Sequence, residues 1–224
     1  MKVIAINGSP RKNHNTATLL NKVLEGAASQ GAETKIIHLY DLNFKGCISC
    51  FACKLKGGKN YGKCALVDDL ASVLKKLYTA DAIVLGSPIY LGNITGETRS
   101  FMERLFFPLV EYSDSPTLLP KNIPTALIYT MNISEEKMKN ICLDKYLESN
   151  ELLFKKFFGK CKILYCTDTY QFNDYSKVVS DKFDHEKKLK RHKEIFPKDC
   201  AKAFDIGIEF ANYKIQEVDV NEFN

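Results

Sequence analysis

Along the chain, short β-branched and aliphatic runs alternate with stretches whose apolar positions recur every three or four residues. The runs at 3–7, 34–39, 81–86, 124–130 and 162–166 read as strands. Between the first two, Leu20, Val23, Leu24 and Ala27 share one helical face that ends near Gly31, a natural C-terminal cap. Asp68 or Asp69 opens a second helix with Leu70, Val73, Leu74 and Leu77 as its stripe. A third begins near Thr95 and carries Phe101, Leu105 and Phe106. A fourth holds Leu143, Tyr146, Leu147, Phe154 and Phe157, and a fifth runs from about Lys198 through Ala203, Phe204 and Ile208.

Strands that are apolar throughout, rather than alternating, are buried on both faces, as in a parallel sheet covered by helices. The expectation is an α/β fold: a doubly wound, five-stranded parallel sheet in a three-layer α/β/α sandwich, of Rossmann or flavodoxin-like order. No internal repeat and no linker rich in Gly, Ser or Pro divides the chain, so 1–224 reads as one domain. Two segments break the alternation. One is a cysteine-rich loop at 41–67; the other is a C-terminal excursion at 168–197, polar but carrying Tyr170, Phe172, Tyr175 and Phe183. Connections this long serve function or an interface in compact domains.

Composition narrows the classes only a little. Hydrophobic residues make up 45% and charged residues 26%, ordinary for a globular protein. The net charge of +5 is modest, and its densest run, residues 187–193, reads as a solvated helix face rather than a nucleic-acid surface. No apolar stretch reaches membrane-spanning length, and the chain opens directly into a strand. A cytoplasmic protein without membrane or nucleic-acid partner is expected. Its eight cysteines are then thiols, metal ligands or redox groups. Cys142, Cys161, Cys166 and Cys200 read as small buried side chains.

The stretch "NGSPRKNHNT" at 7–16 joins the first strand to the first helix. Backbone N–H groups opening a helix favour an anion. Ser9, Asn15 and Thr16 add donors, and Arg11 adds a charged fork. A P-loop needs a second Gly followed by Lys, and a dinucleotide fingerprint needs three glycines; this turn has neither. A compact terminal monophosphate suits it, the plainer reading being a helix capped by Asn15 or Thr16.

With "GSPR" followed by Asn15-Thr16, and with "GSPIY" at 86–90 followed by Gly92 and Asn93, the chain resembles the NAD(P)H-dependent FMN reductase and iron–sulfur flavoprotein superfamily. That resemblance implies a flavodoxin-like fold and non-covalently bound FMN. It implies that Ser9, Arg11, Asn15 and Thr16 hold the phosphate, and that Pro88, Ile89, Tyr90, Gly92 and Asn93 frame the ring. A third loop, Thr130-Met131-Asn132, would reach the ring edge. His14 and Lys12 are left without a role. The four histidines show no metal spacing, and no carboxylate pair points to hydrolysis, as expected where a cofactor carries the chemistry.

The cysteine loop reads Cys47-x2-Cys50-x2-Cys53, then ten residues, then Cys64. Three cysteines at that spacing open many [4Fe–4S] sites, although the final gap is shorter in the iron–sulfur flavoproteins that the chain resembles. A cluster, zinc and free or redox-active thiols all stay open, and no residue is assigned to a metal. Lys54, Lys56, Lys59 and Lys63 would offset thiolate charge. The leading functional expectation is an oxidoreductase passing electrons from NAD(P)H through FMN to a flavin, quinone or similar acceptor. The others are an electron carrier with a [4Fe–4S] cluster and a non-catalytic redox sensor. The resemblance also implies a homodimer or homotetramer.

Overall fold

The computed structural model describes residues 1–112 and 122–213. The chain runs β1 (Lys2–Asn7), α1 (Asn15–Ser29), β2 (Glu33–His38), α2 (Asp69–Leu77), β3 (Ala82–Tyr90), β4 (Asn93–Ile94) and α3 (Gly96–Phe106). It continues with β5 (Ile123–Thr130), α4 (Glu135–Asn140), α5 (Leu143–Phe158), β6 (Gly159–Cys166), α6 (His185–Glu194) and α7 (Phe196–Ala211). The sheet has the order β2-β1-β3-β5-β6, all parallel, with β4 pairing antiparallel to β3 off this path. Five parallel strands in this order are the flavodoxin-like arrangement rather than the Rossmann one.

Each central strand feeds two cores, because successive side chains point to opposite faces. Ile4, Ile6, Ile83, Leu85, Leu127 and Tyr129 pack under α2, α3 and α5. Val3, Ala5, Val84, Ala126 and Ile128 pack under α1 and α7. Three layers follow. On the second face α1 and α7 meet through glycines. A Cβ on Gly207 would lie 2.0 Å from the Val23 carbonyl oxygen, and one on Gly26 would lie 2.0 Å from that of Phe204.

Three expectations need correction. The third strand does not end at Gly86; it continues to Tyr90 and folds back on β4, pairing Ile89 with Ile94 and Tyr90 with Asn93. The turn is Leu91-Gly92, both at positive φ (51° and 79°), the backbone that a two-residue hairpin requires. Seven α-helices are present among the described residues, not five: α4, capped by Ser134, and α6, capped by Asp184, are the additions, the second extending over the 187–193 run read as a helix face. Cys142 is exposed at the start of α5 and Cys200 is half-buried, whereas Cys161 and Cys166 are buried as expected.

The cap expected on α2 forms at Asp68, and Thr95, near which the third helix is expected to begin, caps α3. Asp68 accepts from the Ala71 N–H and Thr95 from the Thr98 N–H. No described helix is long and apolar enough to cross a membrane.

Candidate active site

At the carboxyl edge of the sheet, Asn7 of β1 lies in register with His38 of β2 and Gly86 of β3, and Thr130 of β5 lies opposite Pro88 and Cys166. The loops leaving these strands therefore open side by side. Asn7 organises the first of them. Its Oδ1 accepts from the Ser9 N–H at 3.1 Å, while its Nδ2 donates to His38 Nδ1 at 2.9 Å. The Gly8 N–H donates to the Gly86 carbonyl at 2.8 Å, and the Arg11 N–H to Ser9 Oγ at 3.2 Å. His14 sits at the N-terminal cap of α1 but its side chain makes no capping hydrogen bond. The cap is therefore neither Asn15 nor Thr16, and the first-turn N–H groups of α1 take no side-chain acceptor among the described residues.

Over this helix end lies a cleft open to solvent. Ser9, Arg11, Asn15, Thr16, Pro88, Ile89 and Tyr90 line it, seven of the nine residues expected there. Gly92 and Asn93 lie beyond its wall. Gly92 makes the hairpin turn, and Asn93 donates to the Tyr146 hydroxyl at 2.9 Å. Met131 and Asn132 join the cleft from the loop after β5, with His14, Thr169 and Gln171. Asn132 Oδ1 is buried without a partner among the described residues.

Part of the expected donor set is already engaged. Arg11 Nη1 donates to the Gln171 carbonyl at 2.6 Å, and Asn15 Nδ2 to that of Tyr170 at 2.9 Å. Thr16 Oγ1 and Thr130 Oγ1 share a buried bond of 2.8 Å. An arginine has five N–H donors and an asparagine two, so both side chains keep donors for an anion. Burial chiefly, with the Arg11 charge beside it, holds His14 below its ordinary imidazole value. Lys12 turns away to pair with Asp41 at 2.7 Å.

The excursion closes the far wall. Asp168 and Thr169 return their N–H groups to the Ile133 and Met131 carbonyls at 2.7 and 3.0 Å. The buried Lys188 of α6 donates to Asp168 Oδ1 at 2.6 Å and to the Asn132 carbonyl at 3.1 Å. Neither Thr169 nor Gln171 carries a motif, so only the topology brings them to the cleft. Lys188 is equally hidden inside a run of charges.

A second site lies at the opposite end of α3. Cys47, Cys50, Cys53 and Cys64 all line one small cavity, walled by apolar side chains of 41–67 and by Phe107 and Pro108. Arg104 of α3 is buried beneath it and donates from Nε to Cys64 Sγ at 2.8 Å. The Cys47 N–H donates to Glu103 Oε2 at 3.2 Å. Among the described residues, no three His, Cys, Asp or Glu side chains converge as they would on a single metal ion. At the near end of α3, Thr95 Oγ1 donates to the Gly8 carbonyl at 2.8 Å. One helix thus touches both sites.

The family model for NADPH-dependent FMN reductase matches residues 1–123. The chain belongs to that family. The matched part contains the anion turn, the cysteine loop and the β3–β4 hairpin, while Asn132, Thr169 and Gln171 come from beyond it. FMN and NADPH, named in the family's description, agree with the expected cofactor and reductant. An iron–sulfur flavoprotein of Methanocaldococcus jannaschii is 42% identical over 104 residues, which are 46% of this chain and 51% of that one. One of Archaeoglobus fulgidus is 46% identical over 104 residues, covering 46% and 48%. The match thus spans about half the length of these curated relatives. Among solved structures, an NAD(P)H:quinone oxidoreductase from Methanothermobacter marburgensis superposes with a TM-score of 0.68 at 14% identity, covering 96% of this chain and 98% of the other. An azoreductase from Bacillus anthracis gives 0.64 at 15%, covering 94% and 100%. These two likenesses show a shared fold.

Proposed function

We propose that the chain is an FMN-dependent oxidoreductase that takes electrons from NAD(P)H and passes them to a flavin, quinone or similar small acceptor. The observation that carries this reading is the cleft at the carboxyl edge of the sheet. There an uncapped helix N-terminus, the Arg11 fork and the unpartnered Asn132 Oδ1 converge. That combination fits a phosphorylated, hydrogen-bonding ring system better than an apolar ligand. FMN, when bound, supplies the hydride and electron chemistry.

The chain's own residues bind and orient. The first turn of α1 and Ser9 offer N–H and hydroxyl donors to the phosphate, with Arg11 and Asn15 adding the donors they keep free. Pro88, Ile89 and Tyr90 form one wall for the ring, and Asn132 Oδ1 offers an acceptor to an N–H at its edge. No protein acid or base is needed at the reacting atoms beyond these contacts. The test is anaerobic purification followed by an absorption spectrum, then addition of NADPH or NADH with a quinone. Bleaching of a bound yellow chromophore and turnover with the quinone are expected. A chain that takes up no FMN when reconstituted would sink the reading.

A second feature favours an iron–sulfur centre beside the flavin. The four cysteines of 47–64 line a single cavity, and the relatives at 42% and 46% identity are named iron–sulfur flavoproteins. A [4Fe–4S] cube keeps its ligand sulfurs farther apart than a single ion does, so a cavity ringed by four cysteines suits it. Cys47, Cys50, Cys53 and Cys64 would be the ligands. Anaerobic reconstitution with iron and sulfide should then give about four irons per chain.

A further inference from the structure

The segment between Cys53 and Cys64 leaves the cavity and returns to it. Gly57 and Gly62 take positive φ of 72° along the way, and the Gly62 N–H closes the excursion on the Cys53 carbonyl at 3.0 Å. What fixes Cys64 on its return is a side chain from another element. Arg104 is 1% exposed, with its side chain fully buried. Its Nε donates to Cys64 Sγ at 2.8 Å, Nη1 to the Lys45 carbonyl at 2.8 Å and to Asp68 Oδ2 at 2.8 Å, and Nη2 to Asp68 Oδ1 at 3.1 Å.

One guanidinium therefore holds the limb entering the loop, two residues before Cys47, and the limb leaving it, at Cys64 and Asp68. Arginine has no acceptor, so the sulfur receives this hydrogen bond. A buried cation needs compensation, and Asp68 supplies it. The bond to sulfur is additional to that neutralisation. A lysine cannot make it together with the others, because its ammonium lacks the planar fork.

We infer that Arg104 is a positioning residue for the iron–sulfur site, holding the Cys64 sulfur in the cavity wall and, by donating to it, raising the reduction potential of a cluster bound there. This rests on the iron–sulfur reading above. Hydrogen bonds to ligand sulfurs withdraw charge from a cluster and favour its reduced form. Removing the donor makes reduction harder.

The test uses the full chain, reconstituted anaerobically with iron and sulfide. Wild type is compared with Arg104→Lys and with the double variant Arg104→Met/Asp68→Asn, which removes the buried guanidinium charge and its half-buried partner and leaves no lone carboxylate. Iron per chain is measured, and the potential is followed by paramagnetic resonance, which separates the cluster from the flavin. The double variant is expected to shift the oxidised-to-reduced ratio at fixed potential by about tenfold toward oxidised, about 59 mV for one electron. A folded, iron-loaded double variant with wild-type potential overturns the role of Arg104 and leaves the cluster intact. Should the double variant not fold, Arg104→Lys decides: a shift in the same direction supports the role and an unchanged potential overturns it. Wild type that takes up no iron removes the cluster and this inference together.

Discussion

Asn7 places one amide between two partners that fix its orientation. Its oxygen receives the Ser9 N–H, so its nitrogen faces His38 Nδ1, which must accept. An imidazolium has no acceptor nitrogen. Burial foremost, together with Lys12 and against the pull of Asp41, holds His38 below its ordinary value. Because the folded value is lowered, this contribution to stability is fully present above the unfolded value of about 6.5 and is lost as pH falls through it. Thermal unfolding between pH 7.5 and 5.5 should show that loss, and His38→Gln, whose amide does not titrate, should make the profile shallower, with His14 and His192 still contributing. At the neighbouring Arg11, replacement by Ala is expected to weaken FMN binding by about ten- to a hundredfold, roughly 1.5–3 kcal/mol for a charge-assisted bond. Fluorescence titration checks it, and unchanged affinity would leave Arg11 serving only the Gln171 carbonyl. Seven of the nine residues named from the sequence line the cleft, because each sits in a loop that follows a recognisable strand. Thr169, Gln171 and Lys188 were not legible, since their roles arise from distant parts of the chain meeting at one sheet edge.

Among the elements, the parallel strands announce themselves by unbroken apolar runs, and α2 and α3 by their caps. The third strand was read short. "GSPIY" carries a Pro and a Gly that signal a turn, yet the hairpin with β4 keeps it extended to Tyr90. Helix α6 was legible only as a solvated helix face at 187–193, and its buried lysine was not. Its sequence HEKKLKRHKE has no apolar stripe, and its buried residue is Lys188, satisfied by Asp168 and Asn132. Packing between α1 and α7 depends on the paired glycines, where any side chain meets backbone that cannot swing aside. Gly207→Ala should destabilise the fold by about 3 kcal/mol, at the upper end of overpacking costs. Urea denaturation measures it. A loss under about 0.5 kcal/mol, the scale of surface substitutions, would mean the helices separate readily.

Over the whole molecule, charge is unevenly placed. Residues 42–67 contain five lysines and no acidic residue; without those five, 27 basic residues face 27 acidic ones. The net positive charge of the chain thus resides on the cysteine loop, where thiolates would offset it. That loop and the cleft at the sheet edge share α3. Thr95 is bonded to the anion turn at one end, and Arg104 to Cys64 at the other, nine residues or about 14 Å along the axis. A rod gripped at both ends turns two binding events into one thermodynamic cycle. A cluster held at Cys64 would act on α3 through Arg104, and the iron-loaded chain should then bind FMN more tightly than the iron-free chain by about fivefold. Linkage then requires FMN to strengthen retention of the iron by the same factor, and titrations run in both directions would reveal equal or unequal couplings.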